Sequence, residues 1–302
     1  MNQPKVIALI LTYNDSRLAS RCIQSVLSSN YENLLVYLLD NNSEPKYVNE
    51  IREAFPQLNI IQTANNIGYS GAFNVGIRKL YREHPDATYF WLLNNDLEVD
   101  QACLKTMIDK IHEKGDIGFA GPETFRRGAD GEHDQWITLR GRPKNPGHIV
   151  MENEYKCHNA EPVEIEYAVG HCLLVRTEMA REVGLLREFF IYCEEMEWQW
   201  RAKLKGWKSC AVPRSIAYHD RHSFQKPYNL FLRTRNYLFY NRLILKNTFR
   251  FLPHFLRNLA FVLKDFVGTL RRGLYTMAHV KFFVRAMWAG LFAKIPRYPK
   301  LV

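Results

Sequence analysis

The chain has 302 residues, 47% hydrophobic and 24% charged, which is globular composition and leaves room for one large domain or one domain with an appendage. Its six cysteines contain no C-x-x-C pair, which argues against a disulfide framework or zinc knuckle and for a reducing compartment. The net charge of +10 is divided unevenly: residues 221–302 carry sixteen Lys or Arg against one acid, Asp265, while residues 1–220 sum to −5.

In chain order, short apolar runs rich in β-formers at 6–11, 34–39, 59–62, 89–93 and 117–120 predict strands. Helical spacing falls between them at 17–28, 48–55, 70–81 and 101–113. Strands alternating with helices imply a mostly parallel sheet covered on both faces, with ligands collecting beyond the carboxyl ends of its strands. Residues 122–162 lack periodicity and read as a long functional loop with a short hairpin around 136–149. The apolar pattern then resumes, with strands expected at 165–169, 172–176, 210–212 and 216–218 and helices at 178–183 and 194–205. The run at 6–11 is too short for a secretion signal, and nowhere do eighteen uncharged apolar residues follow one another, so no spanning helix is expected.

Residues 227–293 predict three helices. In 255–270 the apolar positions 255, 256, 259, 262, 263, 266, 267 and 270 make one stripe, and Arg257, Asn258, Lys264 and Asp265 lie opposite. That stripe either packs on protein or meets an anionic membrane surface, which basic residues beside Phe and Leu suit. Nucleic acid is the weaker partner for so basic a tail, because no recognised reading module is present.

Polar clusters close the early strands: Thr12-Tyr13-Asn14-Asp15, Asp40-Asn41-Asn42-Ser43 and Asn94-Asn95-Asp96-Leu97-Glu98. Asn65-Asn66-Ile67-Gly68-Tyr69-Ser70-Gly71 leads into a helix carrying Asn74 and Gly76. Each cluster alone reads as turn and capping chemistry. Four at successive strand ends point to one crevice. Asp96 and Glu98, two apart, project to the same side of an extended chain, and Asn94 stands in the same relation to Asp96. A nucleotide diphosphate needs a hard divalent cation held by one or two carboxylates, which makes Asp96 the chief expected ligand.

A second constellation is Phe189-Phe190-Ile191-Tyr192-Cys193-Glu194-Glu195-Met196-Glu197-Trp198, with Arg201 following. Acids at a helix N-terminus are favoured by its dipole, and Glu197 with Arg201 forms an i,i+4 pair. The dipole also accommodates Glu194, which leaves Glu195 as candidate general base. His219, at a strand end, offers an imidazole that can complete a Mn²⁺ shell.

In this order the motifs T-Y-N, D-N-N-S, N-x-G-x-x-G-x-x-N-x-G, L-L-N-N-D, G-H-C-L-L-V-R and F-F-I-Y-x-E-E-x-E-W, with a later strand ending in His, resemble family 2 inverting glycosyltransferases of GT-A fold. The likeness covers about residues 5–222 and leans toward bacterial rhamnosyltransferases and galactofuranosyltransferases of cell-surface polysaccharides. It implies a Rossmann-like α/β catalytic domain, residues 1–225, followed by basic amphipathic helices, 226–302. Thr12 and Asp40 would contact the donor's base and ribose, with Asn14 and Asn95 beside them. Asn66, Gly68 and Gly71 would shape the nucleotide side. Asp96 would hold Mn²⁺ or Mg²⁺ with His219 as distal ligand. Asn94 stands where many relatives carry the first acid of D-x-D, so Glu98 would contribute, and Glu195 stands where relatives have an aspartate base. The donor would be dTDP-rhamnose or UDP-galactofuranose, and the acceptor a glycan or lipid-linked glycan. The site of action would be the cytoplasmic membrane's inner face. Two rival readings are a sugar-phosphate nucleotidyltransferase, which would carry a Gly-rich basic loop after the first strand, and a non-catalytic nucleotide-sugar scaffold.

Overall fold

The computed structural model describes residues 3–127, 133–136, 140–141, 149–150, 161–220, 226–247 and 252–302. The first half alternates: β1 (Val6–Thr12), α1 (Ser16–Leu27), β2 (Leu34–Asp40), α2 (Pro45–Ala54), β3 (Asn59–Gln62), α3 (Gly68–Glu83), β4 (Tyr89–Asn94), β5 (Leu97–Val99), α4 (Cys103–Ile111) and β6 (Ile117–Arg127). Then come β7 (His133–Trp136), β8 (Arg140–Gly141), β9 (Ile149–Val150), β10 (Val163–Ile165), β11 (Cys172–Arg176), α5 (Thr177–Val183), α6 (Glu194–Lys203) and β12 (Lys208–His219). Three long helices follow, α7 (Pro227–Asn247), α8 (Leu252–Arg271) and α9 (Met277–Phe292).

The main sheet runs β10-β12-β6-β11-β4-β1-β2-β3. Strands β3, β2, β1 and β4 are parallel, as are β12 and β6, while β11 is antiparallel to both of its neighbours. This is the expected α/β architecture with a mostly parallel centre. Alternation along β1 sorts the core. Val6, Ala8 and Ile10 pack with α1, α2 and α4 on one face, and Ile7 and Leu9 pack with α3, α5 and α6 on the other.

Four expectations change. The strands expected at 210–212 and 216–218 are one strand, β12, whose pairing with β6 shifts between Val212 and Ile216, where Arg214 takes φ 63°. Because β12 continues to His219, β6 has a partner out to Arg126 and runs beyond the expected 117–120. The strand expected at 165–169 stops at Ile165: the side-chain amide of Gln199 takes both backbone groups of Ala168, donating to its carbonyl and accepting from its N–H at 2.7 Å each. Finally, β5 pairs with β12, a strand too short to show in the sequence. Of the expected 136–149 hairpin, the structure describes Trp136, which ends β7 and pairs with Phe125 of β6, and the antiparallel pairing of β8 with β9; residues 137–139 and 142–148 lie outside the described residues.

The tail helices pack on one another and on the sheet domain. Phe266 of α8 stacks on Phe283 of α9 at 3.8 Å, and Gly290 of α9 sits so close to Leu238 of α7 that a Cβ there would lie 2.7 Å from that side chain. Asn258, expected opposite the apolar stripe of α8, is buried instead and donates to Asn241 of α7 at 2.7 Å. Its NH₂ group has a partner, while its Oδ1 is buried without one among the described residues. Leu256, Leu263, Val267 and Leu270 of α8, and Val284, Trp288 and Phe292 of α9, are exposed. The chain end returns to the sheet domain: Leu301 is buried, and Tyr298 lies under the Arg201 guanidinium at 3.8 Å. Among the described residues no helix is long and apolar enough to cross a membrane.

Candidate active site

Parallel pairing sets Thr12 beside Asp40, and Leu11 beside Asn94, so the ends of β2, β1 and β4 form one edge. Turn chemistry accounts for part of each cluster there. Asp15 caps α1 by accepting from the Leu18 N–H at 2.9 Å, and Asn14 takes φ 54° and accepts from the Glu44 N–H at 2.8 Å. Asp40 is fully buried, and its carboxylate accepts from the Ser43 N–H and from Gln62 at 3.2 Å. Thr12 receives the Asn95 amide at 3.2 Å. Asn41, which the sequence reading left without a role, joins the strand end to the following segment by donating to Asn66 at 3.0 Å and accepting from the Ile67 N–H at 3.0 Å.

Asn66 in turn accepts from the Gly68 N–H at 3.0 Å and so turns the chain into α3. Gly68 has φ 74°, and a Cβ on it would lie 2.3 Å from the Phe190 carbonyl oxygen, so only glycine fits. Gly71 lies against Ile67. Asn74 and Gly76 serve packing: Asn74 makes both hydrogen bonds to the Leu186 backbone, and Gly76 lets α3 approach Leu9 and Leu39.

Asp96 follows β4 and meets the end of β12. Antiparallel pairing sets His219 against Leu97, and the Asp220 N–H donates to the Asp96 carbonyl at 2.9 Å. The Oδ1 of Asp96 and the Nε2 of His219 lie 3.2 Å apart. Both atoms are buried; they face each other at ion-pair distance, and neither makes a hydrogen bond among the described residues. Two ligand atoms without a hydrogen bond, one carboxylate oxygen and one imidazole nitrogen, fit a divalent cation that takes its other ligands from phosphate and water. Glu98 is turned to Arg21, which also holds Asp220 at 2.9 Å. Among the described residues no third carboxylate, imidazole or thiol completes a metal-holding group. Asn94 sits at the strand end, its N–H donating to the His171 carbonyl at 2.9 Å.

The imidazole of His171 stacks on that of His219, with ring centres 4.7 Å apart, and is itself bound to Thr124 at 2.9 Å. Gly170, just before it, is the room for the acids: a Cβ there would lie 3.0 Å from the Glu195 Cγ and 2.9 Å from the Tyr69 hydroxyl. The Gly170–His171 dipeptide therefore touches Glu195 on one side and His219 on the other.

Glu194 and Glu195 occupy the first turn of α6, and the backbone leading in is unusual. Phe190, Tyr192 and Cys193 have φ of 79°, 77° and 69°. Such left-handed conformations cost about 1–3 kcal/mol each in non-glycine residues and persist only when their surroundings fix them. The two acids part there. Glu194 is buried, 2% exposed, whereas Glu195 is only partly so. Tyr167 donates to the Oε1 of Glu195 at 2.5 Å, and the Oε2 has no partner among the described residues. Burial raises the Glu195 carboxyl above its ordinary range, with the Tyr167 hydrogen bond opposing. Burial, and then the Glu195 charge, push Glu194 well above it. Glu197 is fully buried between Arg187 at 2.8 Å and Arg201 at 2.9 Å, the structural pairing its spacing suggested.

Tyr167, Tyr69, Arg21 and His171 were not legible from local pattern as neighbours of these groups. Each lies far along the chain from the residue it touches. Only the proximity of Gly170 and His171 to a strand start held a clue.

A mostly parallel central sheet with helices on both faces and polar groups at its strand ends is the architecture of GT-A glycosyltransferases. Solved structures share the fold: GalNAc-T7 with UDP, GalNAc and Mn²⁺ has a TM-score of 0.64 at 15% identity, covering 80% of this chain and 48% of that one. The mannosyltransferase PcManGT of Pyrobaculum calidifontis, in complex with GDP-Man and Mn²⁺, has a TM-score of 0.58 at 11% identity over 97% of this chain and 89% of that one. Residues 7–184 match the family model for glycosyl transferase family 2, and the chain belongs to that family. It is 27% identical over 212 residues to the low-salt glycan biosynthesis hexosyltransferase Agl10 of Haloferax volcanii, 66% of this chain, and it spans 64% of that protein's length. It is 25% identical over 237 residues to the N-acetylglucosaminyl-diphospho-decaprenol L-rhamnosyltransferase of Mycobacterium tuberculosis, 70% of this chain and 75% of that protein.

Proposed function

We propose that the chain is a metal-dependent inverting hexosyltransferase acting in cell-surface polysaccharide synthesis. It moves a sugar from a dTDP-rhamnose or UDP-galactofuranose type of donor to a hydroxyl of a glycan or lipid-linked glycan. The observation that carries this reading is the acid–imidazole pair, Asp96 Oδ1 and His219 Nε2 at 3.2 Å, in a site that shares Gly170–His171 with Glu195. A lipid-diphosphate acceptor is supported by the name of the mycobacterial relative, and a divalent cation by the Mn²⁺ in the solved neighbours.

Asp96 and His219 would hold Mn²⁺ or Mg²⁺, and a bound cation supplies Lewis-acid compensation for charge on the departing nucleotide diphosphate. Asn94 would stand beside that position, and Glu98, paired with Arg21, would contribute to it. Thr12, Asn14, Asp40, Asn66, Gly68, Gly71 and Asn95 build the nucleotide side. Glu195 takes the acceptor hydroxyl's proton as that oxygen attacks the anomeric carbon from the face opposite the leaving group. One displacement inverts the configuration, and no sugar–enzyme bond forms. Residues 1–225 carry this chemistry, and 226–302 bring it to the anionic inner face of the cytoplasmic membrane.

A thermal-shift screen of dTDP-rhamnose and UDP-galactofuranose with Mn²⁺ should single out one donor, because a bound ligand stabilises the fold by mass action. Transfer from that donor to a polyprenyl-diphosphate glycan is then expected in the wild type and absent in Glu195→Gln, which still binds donor. Binding without turnover in the wild type would leave a nucleotide-sugar scaffold.

A further inference from the structure

We infer that Asn236, on α7, is a positioning residue for the base: it holds the left-handed backbone of residues 190–193 in place and thereby aims the carboxylate of Glu195. Asn236 is fully buried. Its side-chain nitrogen lies 3.0, 2.8 and 3.2 Å from the carbonyl oxygens of Phe189, Ile191 and Tyr192, so two N–H groups are shared among three acceptors. The orientation of the amide is set by Arg235, whose Nε donates to the Asn236 Oδ1 at 2.9 Å and leaves the NH₂ group facing the segment. A second arm of Arg235 reaches the Phe189 carbonyl at 3.0 Å.

Those carbonyls lie in or directly before 190–193, where three of four successive non-glycine residues, Phe190, Tyr192 and Cys193, have positive φ. No regular ladder satisfies such a backbone, and bulky residues do not choose it unaided. From the other side Ser70 holds Phe190, whose carbonyl accepts from the Ser70 N–H at 3.3 Å and whose N–H donates to the Ser70 hydroxyl at 3.2 Å. Cys193 is the last residue before α6, so its conformation decides where Glu194 and Glu195 point. A general base must lie within hydrogen-bond reach of the proton it takes, and an ångström of misplacement costs orders of magnitude in rate. The basic tail thus supplies a polar side chain to the catalytic loop in addition to any surface it offers a membrane.

Given the reading of Glu195 as the base, the test compares Asn236→Ala, Asn236→Asp, Arg235→Lys, Asn241→Ala and Glu195→Gln with the wild type. Asn241 is the control, since it bonds Tyr237 and Asn258 within the tail and does not touch the segment. For Asn236→Ala and Asn236→Asp, kcat should fall about tenfold or more while donor KM changes less than about twofold. Asn241→Ala should keep its kcat even if it melts earlier. The acid limb of the kcat–pH profile should move to lower pH in Asn236→Ala. A loosened loop hydrates Glu195, while Tyr167, Tyr69, Cys193 and Glu194 remain around it. Arg235→Lys keeps the charge but loses the bond that aims the amide, and should show a smaller loss of the same kind, which covers the case in which Asn236→Ala does not fold. Amide exchange at 190–193 needs no substrate and should quicken in the Asn236 variants. Wild-type kcat, pH profile and exchange in folded Asn236→Ala, with Glu195→Gln inactive, overturn the positioning role. An active Glu195→Gln overturns the reading of the base instead, and the exchange data still decide whether the clamp exists.

Discussion

Tyr167 donates its hydroxyl proton to Glu195 at 2.5 Å, across twenty-eight residues of chain, and it is the sole described side chain bonded to that carboxylate. The bond favours the ionised acid, whereas burial disfavours it and wins. Tyr167→Phe should therefore raise the Glu195 carboxyl further, shifting the acid limb of the pH–rate profile upward, and reduce kcat several-fold at neutral pH. Activity at a pH well above the limb should largely recover. A profile that moves downward or stays put would show that the tyrosine does not stabilise the ionised base.

Glu194 is the acid that the fold pays for. It is buried, its Oε2 has no partner among the described residues, and burial with the Glu195 charge holds its carboxyl well above the ordinary range. A carboxyl raised on folding favours the native state below its unfolded pKa, and that contribution is lost as pH rises through the folded value. Stability should accordingly decline from about pH 4.5 upward over this group's titration. Glu194→Gln should raise the melting temperature at neutral pH by a few degrees and flatten the decline, since about 1 kcal/mol moves Tm by a few degrees in a chain of this size. A lower Tm in the variant at pH 7.5 would mean that the charge is compensated by a partner.

Removing either member of the acid–imidazole pair separates metal binding from folding. Asp96→Asn keeps the shape and discards the charge, and His219→Ala discards the imidazole. Both should lower Mn²⁺-dependent nucleotide affinity by about tenfold or more, with cation-independent binding little changed. Calorimetric titration of UDP with and without Mn²⁺ measures this. His171 is a useful comparison, because its ring supports His219 by stacking and its Nε2 is already engaged with Thr124. Affinities that ignore Mn²⁺ in the wild type would remove the metal from the site.

The parallel half of the sheet was legible because its strands are short, apolar and closed by polar turns, and because local pattern and tertiary role agree there. Asp96 and His219 were readable as chemistry, but their meeting was not. It depends on β5, three residues long, and on β12 crossing a bulge at Arg214. The loop before α6 was opaque for a different reason. Phe190, Tyr192 and Cys193 are left-handed without the glycine or asparagine that normally announces positive φ, and the side chain that holds them lies on a helix over forty residues later. Asn258 misled for want of its partner, as a polar residue on a helix predicts solvent until another buried amide is found for it.

The exposed apolar residues of α8 and α9 lead to the last expectation. Trp288 and Phe292 pack on each other at 4.6 Å, one turn apart, yet are 69% and 65% exposed, a large apolar surface to leave in water. Arg257, Lys264, Arg271, Lys281 and Arg285 lie on the same two helices, with Asp265 as the single acid of 226–302. Aromatic side chains beside cations suit an interface between water and anionic headgroups, where each basic residue adds about 1 kcal/mol. Full-length protein should therefore sediment with vesicles containing phosphatidylglycerol and much less with phosphatidylcholine alone, and salt should weaken the association. Trp288→Ala with Phe292→Ala should reduce binding by about tenfold without lowering Tm, because neither side chain is buried in the fold. A drop in Tm with vesicle binding intact would instead assign this face to packing between copies of the chain.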